Sequence, residues 1–223
     1  MRILGPRVQE HPLAAGEERA VAATKTYLNQ VAALALIAAC AAERCDEFAE
    51  NIAKVADLLE SALPDMERSA REVGVAFAYV GRMYVIGRGI EFATAREIAI
   101  KLTETCRVAA EPLTSTDLAH GPIAALDPLF PVWAIASPDR AFPALVEAAR
   151  RAREAGATLV ASGSAAAQIE GAAYVLPAPK APDLLLTPLL SVVPGQLVAN
   201  ALAQAKGLDA DRPVGLTKVT LAQ

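Results

Sequence analysis

Lys101 and Glu104 stand three positions apart in Lys101-Leu102-Thr103-Glu104-Thr105. On a helix that spacing puts both side chains on one face. A carboxylate beside a cation can move a proton next to a carbonyl, while the cation meets the negative charge that develops on oxygen. The plain reading of the same spacing is a solvated ion pair worth about a few tenths of a kcal/mol. His120 follows the polar segment Ser115-Thr116-Asp117 and precedes Gly121-Pro122, which puts it in a turn. An imidazole titrating near neutral pH suits proton shuttling, and an ordinary turn histidine fits the same residues.

Weaker signals surround these. Gly87-Arg88-Gly89 could bring backbone N–H groups near an anion, but without a full GxGxxG pattern it supports no dinucleotide site and reads as a tight turn. Ser162-Gly163-Ser164 is a similar turn with hydroxyls. Val21-Ala22-Ala23-Thr24-Lys25-Thr26 opens a helical stretch, where a helix N-terminus and a lysine suit an anion. Gly215-Leu216-Thr217-Lys218-Val219-Thr220 offers one more lysine beside a glycine near the C-terminus.

Composition limits what these residues can serve. The 223 residues are 54% hydrophobic and 4% aromatic, so disorder is excluded and the core must be built from Ala, Leu, Val and Ile. A net charge of -4 argues against a nucleic-acid partner or an anionic membrane surface. Two histidines and three cysteines without a CxxC pair argue against a metal site and against a disulfide framework. The longest apolar run, residues 31–42, is short for a membrane span, and residues 1–6 carry no signal-peptide pattern. The expectation is a cytoplasmic protein in a reducing compartment.

The elements that must position the chemistry follow from periodicity and breakers. Residues 1–16 read as a loop. Helices are expected at 18–43, at 46–63 with Pro64 as a stop, and at 66–75 with Asp65 as cap. Strands are expected at 83–86, 131–136, 158–161 and 173–176, and helices at 93–106, 143–154, 165–170 and 189–206, with Gly207 ending the last. Strand and helix alternate from residue 82 onward, the pattern of an α/β parallel sheet covered on both faces. The division expected is therefore 1–73, a loop and helices, and 74–223, an α/β domain with a tail.

In combination, Glu18 to Thr26, Lys101 to Thr105, His120-Gly121-Pro122 and Gly215 to Thr220 occur in an order and at separations that resemble the sugar isomerase (SIS) family. The resemblance is closest to the isomerase half of its glucosamine-6-phosphate synthases and runs from Gly16 onward; Gly87-Arg88-Gly89 after Val85-Ile86 is similar to the first strand and turn of the second SIS domain there. It implies a flavodoxin-like, three-layer domain preceded by helices left from a first SIS domain. It also implies a phosphosugar ligand and interconversion of ketose and aldose forms of a hexose 6-phosphate, by proton transfer between C1 and C2. By resemblance Glu104 is the base, Lys101 lies on the same helix turn, and His120 opens the sugar ring from across a homodimer interface. Lys218 lies near the sugar, and Val21, Ala23 and Thr217 line it. No cofactor and no metal are implied.

The sequence also departs from the family pattern. No Ser-Gln-Ser-Gly-like phosphate loop occurs, Ala23 replaces a usual Ser, Thr103 a usual Lys and Thr217 a usual Ala, and residues 1–12 do not resemble the family. The chain is expected to begin after the place of that loop and to lack a glutaminase domain. Two outcomes follow: an isomerase, aminotransferase or deaminase of SIS type, or a non-catalytic fragment that binds sugar derivatives or dimerises. The apolar helix at 31–42 is expected to keep an exposed face, covered in a dimer.

Overall fold

The computed structural model describes residues 13–218. Helix α1 (Lys25–Ala41) contains no proline or glycine and starts later than the composition suggests. The reason is Glu18, whose carboxylate turns back to accept the Thr24 N–H at 3.1 Å and the Thr26 N–H at 2.8 Å. It thereby satisfies two of the donors that a helix start leaves open. Leu34 and Ile37 on α1 remain 67% and 65% exposed, while Ala39 and its neighbours pack on the next helix.

Helix α2 (Cys45–Ala76) runs for 32 residues straight through Pro64, against the expected stop. An internal proline removes one backbone bond and costs about 3 kcal/mol. Here the carbonyl left open, at Glu60, is exposed and can be hydrated. The two halves are anchored independently: Phe48 and Val55 enter a cluster with Ala39, Leu186 and Leu190, and Met66, Ala70 and Val73 enter the main core. The division expected after residue 73 thus falls inside one helix. Between α1 and α2, Cys40 and Cys45 form a disulfide across a five-residue separation, with Cα atoms 4.1 Å apart. The odd cysteine number had argued against a bridge; the tight turn brings the two together, and Cys106 is the buried free thiol.

The sheet follows. β1 (Arg82–Gly87) leads to α3 (Glu91–Cys106), then β2 (Ala109–Thr114), α4 (Ser115–Ala119), β3 (Val132–Ile135) and α5 (Phe142–Glu154). β4 (Leu159–Gly163) and β5 (Tyr174–Pro177) complete it, and α6 (Thr187–Ser191) and α7 (Val193–Ala205) close the chain where one helix was expected. All pairings are parallel, in the order β2-β1-β3-β4-β5. This is the flavodoxin-like order. β2 went unread in the sequence because Pro112 sits within it; as an edge strand it can leave a missing N–H unpaired. Residues 165–170 form only a short 3₁₀ turn, Ala166–Gln168.

Alternation along the strands sorts the core into two faces. Met83, Val85, Trp133, Ile135 and Val160 meet α2, α3 and α7. Tyr84, Ile86, Val132, Ala134, Leu159 and Ala161 meet Leu118 of α4 and Leu145, Ala148 and Ala152 of α5. The stretch Leu184–Ala205 is long and apolar enough to cross a membrane by composition, but 72% of its apolar 18-residue window is buried in this core.

α2 and α7 approach so closely at Gly74 that an added Cβ would lie 2.7 Å from Ala201 Cβ and 2.8 Å from Leu202 N. Because backbone is involved, Gly74→Ala must push the helices apart. Overpacking of about 1–3 kcal/mol outweighs the ~1 kcal/mol of helix propensity gained. A lower urea midpoint is expected, and an unchanged or higher one would contradict the close approach.

At the start of α3, Glu91 is 2% exposed, and its carboxylate accepts hydrogen bonds from Ser191 Oγ at 2.7 Å and from Ser137 Oγ. Burial pushes this carboxyl above its ordinary value of 4.5, with the serine hydroxyls opposing. Its contribution to stability is therefore present at low pH and is lost as pH rises through the raised folded value. Glu91→Gln should flatten that part of the profile in urea melts from pH 5 to 8, by at most about 1.4 kcal/mol per pH unit. Parallel profiles for the two proteins would rule this out.

Candidate active site

α3 carries the charged pair singled out in the sequence. Lys101 is 7% exposed, with Nζ 2.9 Å from Glu97 Oε1 and 3.8 Å from Glu104 Oε2. The lysine thus sits between two carboxylates rather than beside one. A solvated surface pair is excluded by its burial. Glu97 was missed in the sequence, although its position four residues before Lys101 is a helical spacing that points to it. Burial pushes the Glu97 carboxyl up, and Lys101 pulls it back down. Lys101 approaches Glu97 Oε1 as an ion pair without good hydrogen-bond geometry, so that oxygen keeps room to accept another donor. Tyr27 faces the same region, its hydroxyl pushed up to about 12 by burial and by the charges of Glu97 and Glu91.

Three cavities open around this helix. One of about 430 Å³ is lined by Lys101 and Thr105, by Ala20, Ala22 and Thr24 of the segment before α1, and by Gln196 of α7. Gln196 Nε2 is buried without a partner among the described residues, a second donor that the sequence did not flag. A cavity of about 490 Å³ lies beside Glu104 and Thr105 and is closed by residues 207–216, including Leu208, Val214 and Leu216. A third, about 530 Å³, is lined by Glu97 and Tyr27. Glu18 holds the segment before α1 in place, and the Val21 N–H donates to the Asp211 carbonyl at 3.0 Å, which ties that segment to the tail. Val21 therefore has its carbonyl, not its N–H, left for a ligand.

Of the other expected positions, Ala23 is half-buried beside these residues but does not line the cavities. Thr217 and Lys218 are exposed and follow directly on Leu216, which borders the Glu104 cavity; the expected tail residues 219 and 220 lie outside the described residues. His120 is not brought to Lys101 and Glu104. It caps the C-terminus of α4, whose Leu118 packs on the sheet face opposite that of α3. Among the described residues no three His, Cys, Asp or Glu side chains converge as a metal site. One cation held between two carboxylates, with amide and hydroxyl groups at the cavity walls, is suited to proton transfer on a polar, oxygen-rich ligand.

Comparison with known proteins assigns the fold to a family. The model of the SIS domain matches residues 77–205. A glutamine–fructose-6-phosphate aminotransferase (isomerizing) of Gloeobacter violaceus is 36% identical over 214 residues, covering 92% of this chain and 35% of that protein. The enzyme of the same name from Thermococcus kodakarensis is 35% identical, with the same two shares. The chain thus spans about a third of the length of these curated relatives. Among solved structures, the C-terminal domain of glucosamine-fructose-6-phosphate aminotransferase from Francisella tularensis superposes with a TM-score of 0.80 at 25% identity, over 88% of this chain and 58% of that one. A tagatose-6-phosphate ketose/aldose isomerase from Escherichia coli shares the fold, with a TM-score of 0.70 at 20% identity, over 88% of this chain and 54% of that one. Five parallel strands in flavodoxin-like order and a domain match over 129 of the 223 residues (77–205) lead to one conclusion: the chain belongs to the SIS family and is related to the isomerase domain of the glutamine–fructose-6-phosphate aminotransferases.

Proposed function

We propose that this chain acts on hexose 6-phosphates such as fructose 6-phosphate and glucosamine 6-phosphate, transferring a proton between C1 and C2. The observation that carries the reading is Lys101, buried between Glu97 and Glu104, with Lys101 lining the cavity bordered by the segment before α1, Glu104 lining the one bordered by the tail, and Thr105 lining both. Glu104 takes the proton from one carbon of the open-chain sugar and returns it to the other. Between these steps the negative charge rests on the enediolate oxygen, where an ammonium group stabilises it. Lys101 supplies that ammonium group, and Gln196 Nε2 supplies a neutral donor. The Val21 carbonyl accepts from a sugar hydroxyl, and Thr217 and Lys218 extend the tail over it. Ammonia as the nitrogen donor, or the reverse deamination, would use the same proton transfer.

His120 enters this scheme from a second copy. It lies on the other sheet face from Glu104, so one chain cannot present both to one sugar. We read the working unit as a homodimer in which each site takes its histidine from the partner.

Glu104 is 28% exposed in its side chain, so Glu104→Gln should leave folding nearly unchanged. A general base contributes about 10²–10⁴ in rate, and a loss of that size is expected with ligand binding retained. Thermal shift reads binding directly, since a ligand at ~100 times its Kd adds about 2.7 kcal/mol. Full turnover in the variant would remove Glu104 from the role. A saturable shift without turnover in the unaltered chain would favour the other outcome, a sugar-binding protein without catalysis.

Mixing offers a separate check on the shared site. Chains carrying His120→Ala and chains carrying Glu104→Gln, each inactive alone, should recover activity on co-refolding, toward a quarter of the unaltered rate if one intact site forms per mixed dimer and dimers form at random. Absence of any recovery would refute the shared site.

A further inference from the structure

On the sheet face away from Lys101, a smaller cavity of about 220 Å³ lies between α4 and α5, over the carboxyl end of β1. Arg88, the first residue after β1, points into it, together with Ser115 and Thr116 of α4 and Arg151 of α5. We infer that Arg88, Arg151, Ser115 and Thr116 form a second anion site, one that takes the phosphoryl group of a small phosphate monoester and is separate from the Lys101–Glu104 site.

The hydrogen bonding supports a ligand rather than an internal pair. Arg88 Nη1 donates to Ser115 Oγ at 3.0 Å and to Thr116 Oγ1 at 2.6 Å. A guanidinium has five N–H donors. Both donors of Nη1 are spent on hydroxyls, which leaves the Nε and Nη2 edge, the fork that binds two oxygens of a phosphate at once. Each hydroxyl accepts from Arg88 and so keeps its own O–H to donate outward. Ser115 is buried and Arg88 and Thr116 are exposed, so the cluster has a fixed base and an open mouth. Neither Arg88 nor Arg151 has an ion pair among the described residues. Glu147, the one carboxylate lining the cavity, is hydrogen-bonded by Arg150 at 2.7 and 2.8 Å, which Glu154 shares, and Arg151 also acts on it electrostatically, so an anion must compete with Glu147 for Arg151 but not for Arg88.

Topology points to the same place. With the strand order β2-β1-β3, the chain reverses its direction of travel across the sheet between β1 and β3. Open α/β sheets take ligands in the crevice outside the strand ends at such a reversal. Arg88 follows β1 directly and so stands at the reversal, while Arg151, in the last turn of α5, lines the same cavity farther along that helix. The volume suits a phosphoryl group with a small body, since pockets that enclose larger ligands run from about 300 Å³ upward. Because the two sites lie on opposite sheet faces, this inference stands or falls independently of the function proposed for Lys101 and Glu104.

The test is calorimetric titration of the full chain with inorganic phosphate, glucosamine 6-phosphate, glucosamine and adenosine monophosphate. Phosphate and the sugar phosphate should bind saturably, glucosamine should not, and the nucleotide should bind no better than phosphate. R88Q and R151Q should each weaken phosphate by at least about tenfold, the effect of losing one charge-assisted hydrogen bond, while E104Q leaves it unchanged. Both arginines are exposed, so the variants are expected to fold; T116V serves as the third variant should either fail to. Phosphate binding that is lost in K101Q but unaffected in R88Q and R151Q would overturn the inference, as would no saturable binding up to about 20 mM, well past the millimolar range of weak anion sites.

Discussion

A parallel sheet has no face that it can leave to water, and most of this molecule follows from that constraint. β1, β3 and β4 are buried along nearly their whole length, and their alternate residues feed two separate clusters. Trp133, fully buried at the centre, satisfies its indole N–H on Ser162 Oγ at 2.8 Å, so even the largest core side chain leaves no open donor. The helices on the two faces are thereby kept apart. Whatever α3 carries faces one side, and whatever follows β2 faces the other. The placement of Glu104 and His120 on opposite sides is a consequence of sheet geometry and not of loop arrangement.

Within the α3 layer the energetics turn on Lys101. Taking an ammonium out of water costs several kcal/mol unless opposite charge is near. Two carboxylates flank it, and the cavity bordered by the segment before α1 gives it access to polar ligands without full exposure. A buried ion pair is weak evidence for stability, and replacement by apolar residues of equal volume often stabilises. Retaining one cation with two anions at cavity walls is more readily understood as chemistry than as packing. Glu91, ten residues earlier on the same helix, is the structural counterpart: it joins the start of α3 to Ser137 after β3 and to Ser191 of α6, and no cavity around α3 includes it.

Much of this was legible from residue types and order. Buried strands rich in Val and Ile, ended by glycine, gave themselves away by composition, and the helix bearing Lys101 and Glu104 by its spacing. Three features were not. β2 was hidden by Pro112, because local sequence does not say that a strand is at an edge. The run of α2 through Pro64 depends on two anchors eighteen residues apart, Phe48 and Val55 at one end and Met66 and Val73 at the other, which only the tertiary structure brings into play. The Cys40–Cys45 bridge depends on the geometry of a turn, not on cysteine number. For the site, Lys101 and Glu104 were readable, whereas Gln196 was not, because it comes from α7, nearly a hundred residues away, and carries no periodic signal.

α2 has a mechanical meaning of its own. Thirty-two residues at 1.5 Å each make a rod of about 48 Å, longer than the sheet is wide. Near one end it is clamped backbone to backbone at Gly74, and toward the other it carries Phe48 and the turn into α1. With Gly74 as its only seat, such a rod would be a lever. A tilt of about 5° there would sweep the Phe48 end through roughly 3 Å, enough to shift α1 and the Glu18 segment that walls the Lys101 cavity. The cluster of Phe48 and Val55 with Leu186 and Leu190 opposes that tilt, so the far end of the rod is held over the site by a second seat of its own.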